Sequence, residues 1–198
     1  MQTNINPKQL NKIIATNPNT ITCFQEIQRQ NSAYEIENGH LYLAHPDTDN
    51  QQPTPPYPKR KPAIFLPTEL VPKRKYHFST SCSHGVLISN LLIVSVYLPT
   101  GCKEEEYQAC LDGISANIIA VCSRFSVVSV VVGGDFQSTM GTVSVDQSIG
   151  LYGEPASKYT AMLLDFVLHH NFVVPHTWQE HVHSRVPSGG TPRSRGEH

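Results

Sequence analysis

Apolar residues near the start of the chain recur at helical spacing. Leu10, Ile13 and Ile14 share one face, and Asn17-Pro18-Asn19 closes the segment, so a short helix is predicted over 8–15. Residues 21–27 alternate in part and are rich in β-formers, predicting a strand that ends near Glu26. A second strand is predicted over 39–44. Two apolar runs, 86–88 and 91–98, read as strands, with Pro99-Thr100-Gly101 as the turn that follows. Tyr107, Leu111, Ile114, Ile118 and Val121 then describe an amphipathic helix over 104–123, with Ala120 slightly off phase. Residues 127–132 are almost all β-branched, the pattern of a strand buried on both faces, and they end at Gly133-Gly134-Asp135. A further helix is predicted over 159–170, with Met162, Leu163, Phe166 and Val167 on one side, and a short strand over 172–174. There is no internal repeat. The order of elements is that of an α/β protein.

Two stretches break the pattern. Between 46 and 72 the chain carries Pro46, Pro53, Pro55, Pro56, Pro58, Pro62, Pro67 and Pro72, which oppose helices and central strands. Two basic triplets lie in the same region, Lys59-Arg60-Lys61 and Lys73-Arg74-Lys75. They read either as solvated charges on an exposed loop, or as a phosphate-contacting arm or localisation signal. An exposed segment without long regular elements is expected over 46–75. From 179 the chain is polar and lacks an apolar pattern. The expected organisation is one domain over 1–178, containing the Pro-rich basic loop 46–75, and a polar tail over 179–198.

Composition narrows the functional classes. The chain has 198 residues, of which 39% are hydrophobic and 16% charged, enough for a packed core and unlike collagen or a disordered chain. Fifteen Lys and Arg against sixteen Asp and Glu give a formal net charge of -1, so any nucleic-acid binding must come from a local patch. No run approaches the roughly 18 apolar residues of a membrane span. The first residues lack a basic and apolar signal pattern, so a nuclear or cytoplasmic protein is expected rather than a secreted one. The five cysteines are odd in number and form no Cys-x-x-Cys pair, so reduced thiols are expected rather than a disulfide framework or a zinc site. No protein partner is inferable.

Polar residues at the ends of three apolar strands carry the candidate chemistry: Phe24-Gln25-Glu26, Val96-Tyr97-Leu98-Pro99 and Gly133-Gly134-Asp135-Phe136-Gln137. A carboxylate at the tip of a buried strand is costly unless solvated, paired or metal-bound. Two such carboxylates on one rim could hold Mg²⁺, which prefers oxygen ligands and keeps several waters. A nearby phenol and carboxamide could hydrogen-bond a phosphate. These are the parts of metal-assisted phosphodiester hydrolysis.

In their order along the chain, these segments resemble the endonuclease/exonuclease/phosphatase superfamily. Within it they are most similar to the endonuclease domains of non-LTR retrotransposons, which are themselves like AP endonucleases. The stretch from Asn17 to Glu26 looks like the family's segment ending in Gln-Glu, Leu92 to Pro99 like its Tyr-x-Pro strand, and Val131 to Gln137 like its Gly-Asp-Phe-Asn motif. Leu163-Leu164-Asp165-Phe166 followed by His176-Thr177-Trp178 resembles the retroelement branch. The resemblance implies a two-sheet α/β sandwich and Mg²⁺-dependent cleavage of DNA. It implies Glu26 as metal ligand, Tyr97 at the scissile phosphate, Asp135 orienting or deprotonating the attacking water, and Gln137 in the place of the motif's Asn. Gln137 departs from the motif by one methylene. The family's opening Asn strand and its late Asp and Asp-His segments have no match, and His181, His183 and His198 stand in no motif. A truncated, impaired enzyme is therefore expected. The alternatives are a non-catalytic retroelement-derived remnant or binding module, and a phosphatase or phosphodiesterase of the same superfamily acting on a non-DNA substrate.

Overall fold

The computed structural model describes residues 7–27, 33–36, 38–43, 61–98, 100–142, 144–145 and 147–178. Lys59 and Arg60, and the tail 179–198 with its histidines, lie outside the described residues. The elements in chain order are α1 (Pro7–Thr16), β1 (Thr22–Ile27), β2 (Ala33–Ile36), β3 (Gly39–Leu43), β4 (Lys61–Pro67), β5 (Arg74–Ser79), β6 (Ser83–Ile88), β7 (Leu91–Tyr97), α2 (Glu104–Arg124), β8 (Ser129–Asp135) and α3 (Thr160–His169), with 3₁₀ turns at Val71–Lys73 and Pro175–Thr177.

Two four-stranded sheets form. The first has the order β1-β4-β3-β2 and is antiparallel; the second has the order β5-β6-β7-β8, with only β7 and β8 parallel. Period-two alternation sorts the side chains into layers. Leu41, Leu43, Ala63 and Phe65 face outward and pack with Leu10 and Ile14 of α1. Tyr42, Ile64 and Leu66 face inward and meet Val86, Ile88 and Ile93 of the second sheet. Leu92, Val94 and Val96 face the other way, against Tyr107, Leu111, Ile114 and Ile118 of α2 and Leu163 and Phe166 of α3. The result is a two-sheet α/β sandwich with helices on both outer faces, the fold class expected from the sequence. Helix α2 is the crossover that a parallel β7–β8 pair requires. No helix among the described residues is long and apolar enough to cross a membrane.

Four expectations are corrected. First, the Pro-rich stretch is not devoid of regular structure. Its last part forms β4, where every residue from Pro62 to Pro67 is buried, and β5 begins at Arg74. Both prolines sit where a ladder hydrogen bond is dispensable. Pro67 is the last residue of β4. Pro62 falls between the pairs Phe24↔Ala63 and Ile27↔Lys61, opposite two residues of β1. That two-against-one count is a β-bulge, and its extra residue comes from Gln25-Glu26. Second, β8 is not buried on both faces. Among the described strands it pairs only with β7, and Val131 is 52% exposed. Third, residues 172–174 form no strand; Val174 makes one isolated bridge to Ile149. Fourth, the thiols are not all reduced: Cys82 and Cys110 form a disulfide between the turn before β6 and helix α2, while Cys23, Cys102 and Cys122 are free.

Candidate active site

The parallel register of β7 and β8 sets Tyr97 beside Asp135. The Leu98 N–H donates to the Asp135 carbonyl at 2.9 Å, which carries the pairing to the tip of both strands. Gly134 makes this approach possible. Its φ is +153°, and a Cβ there would overlap the Val96 carbonyl. Its neighbour Gly133 has open space around it. The first of the two glycines is thus replaceable, and the second is a steric requirement of the strand that presents Asp135.

After Asp135 the chain turns sharply. Gln137 adopts a left-handed backbone, φ +50°, and closes onto the carboxylate. Its backbone N–H donates to Asp135 Oδ1 at 2.9 Å and its side-chain Nε2 to Oδ2 at 2.6 Å. Both oxygens of an exposed carboxylate are therefore engaged. A carboxylate offers roughly four lone-pair sites, so room remains for a water or a cation.

The turn is held from behind. Tyr107, fully buried in α2, donates its hydroxyl to the Phe136 carbonyl at 2.9 Å. Burial pushes its phenol well above the ordinary tyrosine range, so the group stays protonated and remains a donor. Its ring stacks on Tyr159, with centroids 4.1 Å apart, and the Tyr159 hydroxyl donates to the Cys102 carbonyl. Beyond Gln137, Ser138 pairs with Ser157 at 2.8 Å, and the Thr160 hydroxyl donates to the Thr139 carbonyl at 2.8 Å. These contacts staple the turn to the start of α3.

Glu26 sits in the bulge of β1. Bulges re-aim side chains and recur next to active sites. Strand β1 packs across β7 and β8, and the Ser95 hydroxyl donates to the Phe24 carbonyl at 3.2 Å. That bond fixes a point two residues before Glu26 against a point two residues before Tyr97. The Glu26 side chain lies outside the described residues. Lys61 is the register partner of Ile27, beside Glu26. The triplet Lys73-Arg74-Lys75 is not brought to this rim. Arg74 pairs with Ile88, Ile88 with Leu91, and Leu91 with Ser129, at the opposite end of the second sheet from Asp135. Three strand spacings and a strand length separate Arg74 from Asp135, about 25 Å. Among the described residues no group of three or more His, Cys, Asp or Glu could enclose a metal.

The supporting residues Tyr107, Tyr159 and Ser138 were not candidates from the sequence. The available signal was a tyrosine at the start of an otherwise aliphatic helix stripe, since a buried phenol needs a partner for its hydroxyl.

No protein-family model and no curated protein sequence matches this chain. Among solved structures it is similar to an AP endonuclease from Archaeoglobus fulgidus, at 13% identity and a TM-score of 0.47, over 81% of this chain and 64% of that one. The chain thus spans about two thirds of the length of that protein.

Proposed function

We propose that the rim formed by Tyr97, Asp135 and Gln137, together with Glu26, is the site of a Mg²⁺-dependent phosphodiesterase that nicks DNA, of the retroelement endonuclease type. The observation that carries this reading is the convergence of two motif residues, Tyr97 and Asp135, at one strand tip. Mg²⁺ is usually held by one or two carboxylates with waters filling the remaining positions, so this donor set fits it in chemical type without a protein cage. Glu26 would hold the ion, which when bound would stabilise charge on the phosphate and the leaving oxygen. Asp135 accepts a proton from the attacking water at a free carboxylate lone pair. Tyr97 donates its hydroxyl to a phosphate oxygen, and the Gln137 backbone N–H keeps the carboxylate aimed. Lys61, beside the Glu26 bulge, would follow the DNA backbone near the site; the 73–75 triplet would reach only DNA about 25 Å away. A nuclear or cytoplasmic setting suits such a substrate.

A second reading, a non-catalytic binding module, is favoured by one observation: the 2.6 Å amide contact takes up part of one Asp135 oxygen. Nicking of supercoiled plasmid with Mg²⁺, beside an EDTA control, separates the two. The enzyme reading expects nicking that EDTA abolishes and that Asp135→Ala lowers by about 10²–10⁴-fold, the usual contribution of a general base. Nicking indifferent to Asp135→Ala contradicts it. Plasmid binding without nicking supports the module.

A further inference from the structure

Two residues of the proposed site, Tyr97 and Asp135, belong to a closed ring of bonds that includes one disulfide. The Tyr97 N–H donates to the Cys82 carbonyl at 2.8 Å. Cys82 is joined to Cys110, with a Cα–Cα separation of 6.3 Å. Cys110 lies three residues after Tyr107 on α2, one turn along the same face. The Tyr107 hydroxyl donates to the Phe136 carbonyl, and the adjoining Asp135 carbonyl accepts from Leu98, next to Tyr97. The ring therefore runs Tyr97, Cys82, Cys110, Tyr107, Phe136, Asp135, Leu98 and back to Tyr97. The disulfide is its only covalent link between the turn before β6 and helix α2. Cys82 itself is anchored, with its N–H donating to Thr80 Oγ1 at 3.2 Å.

We propose that the Cys82–Cys110 disulfide is a thiol-responsive strut that sets Tyr97 against the Asp135 turn, so that reduction by a low-molecular-weight thiol switches the site down. This regulation rests on the phosphodiesterase reading above. The chemistry is ordinary thiol–disulfide exchange. Cys110 is half-buried and Cys82 is 6% exposed, so an external thiolate attacks the Cys110 sulfur. A mixed disulfide forms, and Cys82 leaves as a thiolate that takes a proton from solvent. The Ser81 hydroxyl, 3.3 Å from the Cys82 sulfur, is placed to stabilise that leaving group. A second external thiolate then attacks the external sulfur of the mixed disulfide and frees Cys110. The two external thiols leave as their own disulfide, having supplied the two electrons. In a thiol-reducing compartment a disulfide of this kind is more often a sensor than a staple.

The test is a glutathione redox series on the full chain with three readouts. Differential alkylation and peptide mapping follow Cys82 and Cys110. Amide spectra of ¹⁵N-labelled protein follow Leu98, Phe136 and Gln137. Plasmid nicking follows the site. Reduction should expose both thiols, shift those three amides together, and lower nicking by about ten- to a hundredfold, the scale of a misplacement below or near an ångström. Cys82→Ser/Cys110→Ser should match the reduced protein and ignore glutathione. Should that pair not fold, Cys110→Ala alone serves the same purpose. Amides that stay put while both thiols become alkylated would overturn the strut, as would alkylation of both thiols under oxidising conditions. Shifting amides in a protein that nicks DNA in neither state would keep the strut and discard the phosphodiesterase reading.

Discussion

Asp135 stands exposed at the tip of β8 with both carboxylate oxygens hydrogen-bonded, whereas His84, two strands away on β6, is buried with one ring nitrogen unpartnered. The imidazole accepts or donates at Nδ1 with the Ser79 hydroxyl, 2.8 Å away, and its ring stacks over Tyr42. Its other neighbours are His77, at a ring distance of 5.9 Å, and Arg74, whose guanidinium lies 4.8 Å over the Tyr42 ring. A carboxylate on the rim exchanges its partners for water or substrate at little cost. A nitrogen sealed between two sheets has nothing to exchange with, so its protonation is a cost to the fold itself. The same sheet thus holds an exposed carboxylate whose partners can exchange with solvent and a buried imidazole whose charging costs the fold.

The largest effect expected outside the site is the response of His84 to acid. Desolvation, with the added repulsion of His77 and Arg74, pushes its pKa down to about 3 from an ordinary 6.5. The folded value lies below the unfolded one, so stability is fully present above the unfolded value and is lost as pH falls through it. Each pH unit below the unfolded value removes about 1.4 kcal/mol, or about 3 kcal/mol between neutrality and pH 4. Urea melts across that range should show the loss, and His84→Phe should flatten it. An unchanged slope in His84→Phe would move the acid response to another group.

A smaller effect separates the two glycines before Asp135. Gly134→Ala places a methyl group against the Val96 carbonyl in a strained backbone conformation and should cost about 1–3 kcal/mol. Gly133→Ala meets open space and should stay within about 0.5 kcal/mol. Equal losses in thermal melts would show that β8 does not pack as closely on β7 as its register implies.

These contrasts also mark what was readable from the chain. The stripe of α2 was legible because a crossover helix buries one face at a period of 3.6, and Tyr107 to Val121 are buried as that period requires. The strand-end placement of Tyr97 and Asp135 was legible because apolar β-branched runs end where polarity begins. The exposure of β8 was not: composition reports β-propensity, while the number of neighbouring strands is a property of the assembled sheet. Strands β4 and β5 were hidden by prolines and basic residues whose tolerance depends on a bulge and on an edge position. The Cys82–Cys110 pairing spans 28 residues and arises only when α2 folds back over β6. The roles of His84 and Tyr107 depend on which partners burial leaves to them, and no local pattern encodes that.

The smallest effect concerns Gln137, which stands where the resembled motif has Asn. Gln137 occupies a left-handed conformation that Asn adopts more readily. Gln137→Asn shortens the amide and releases Asp135 Oδ2, and nicking should rise about tenfold, below the roughly hundredfold that an ångström of misplacement costs. A fall in rate would mean that the long amide is a working part of the site rather than a restraint.

The most direct measurement joins both halves of the comparison in one sample: the Mg²⁺-dependent nicking rate and the thermal melting temperature of Asp135→Ala beside the unmodified chain. The expected result is a rate lowered by at least about a hundredfold with a melting temperature little changed, because the carboxylate is exposed and its partners can turn to water. A rate that survives the substitution, or one that falls only in step with the folded fraction, would contradict the claim that Asp135 is the chemical centre of this fold.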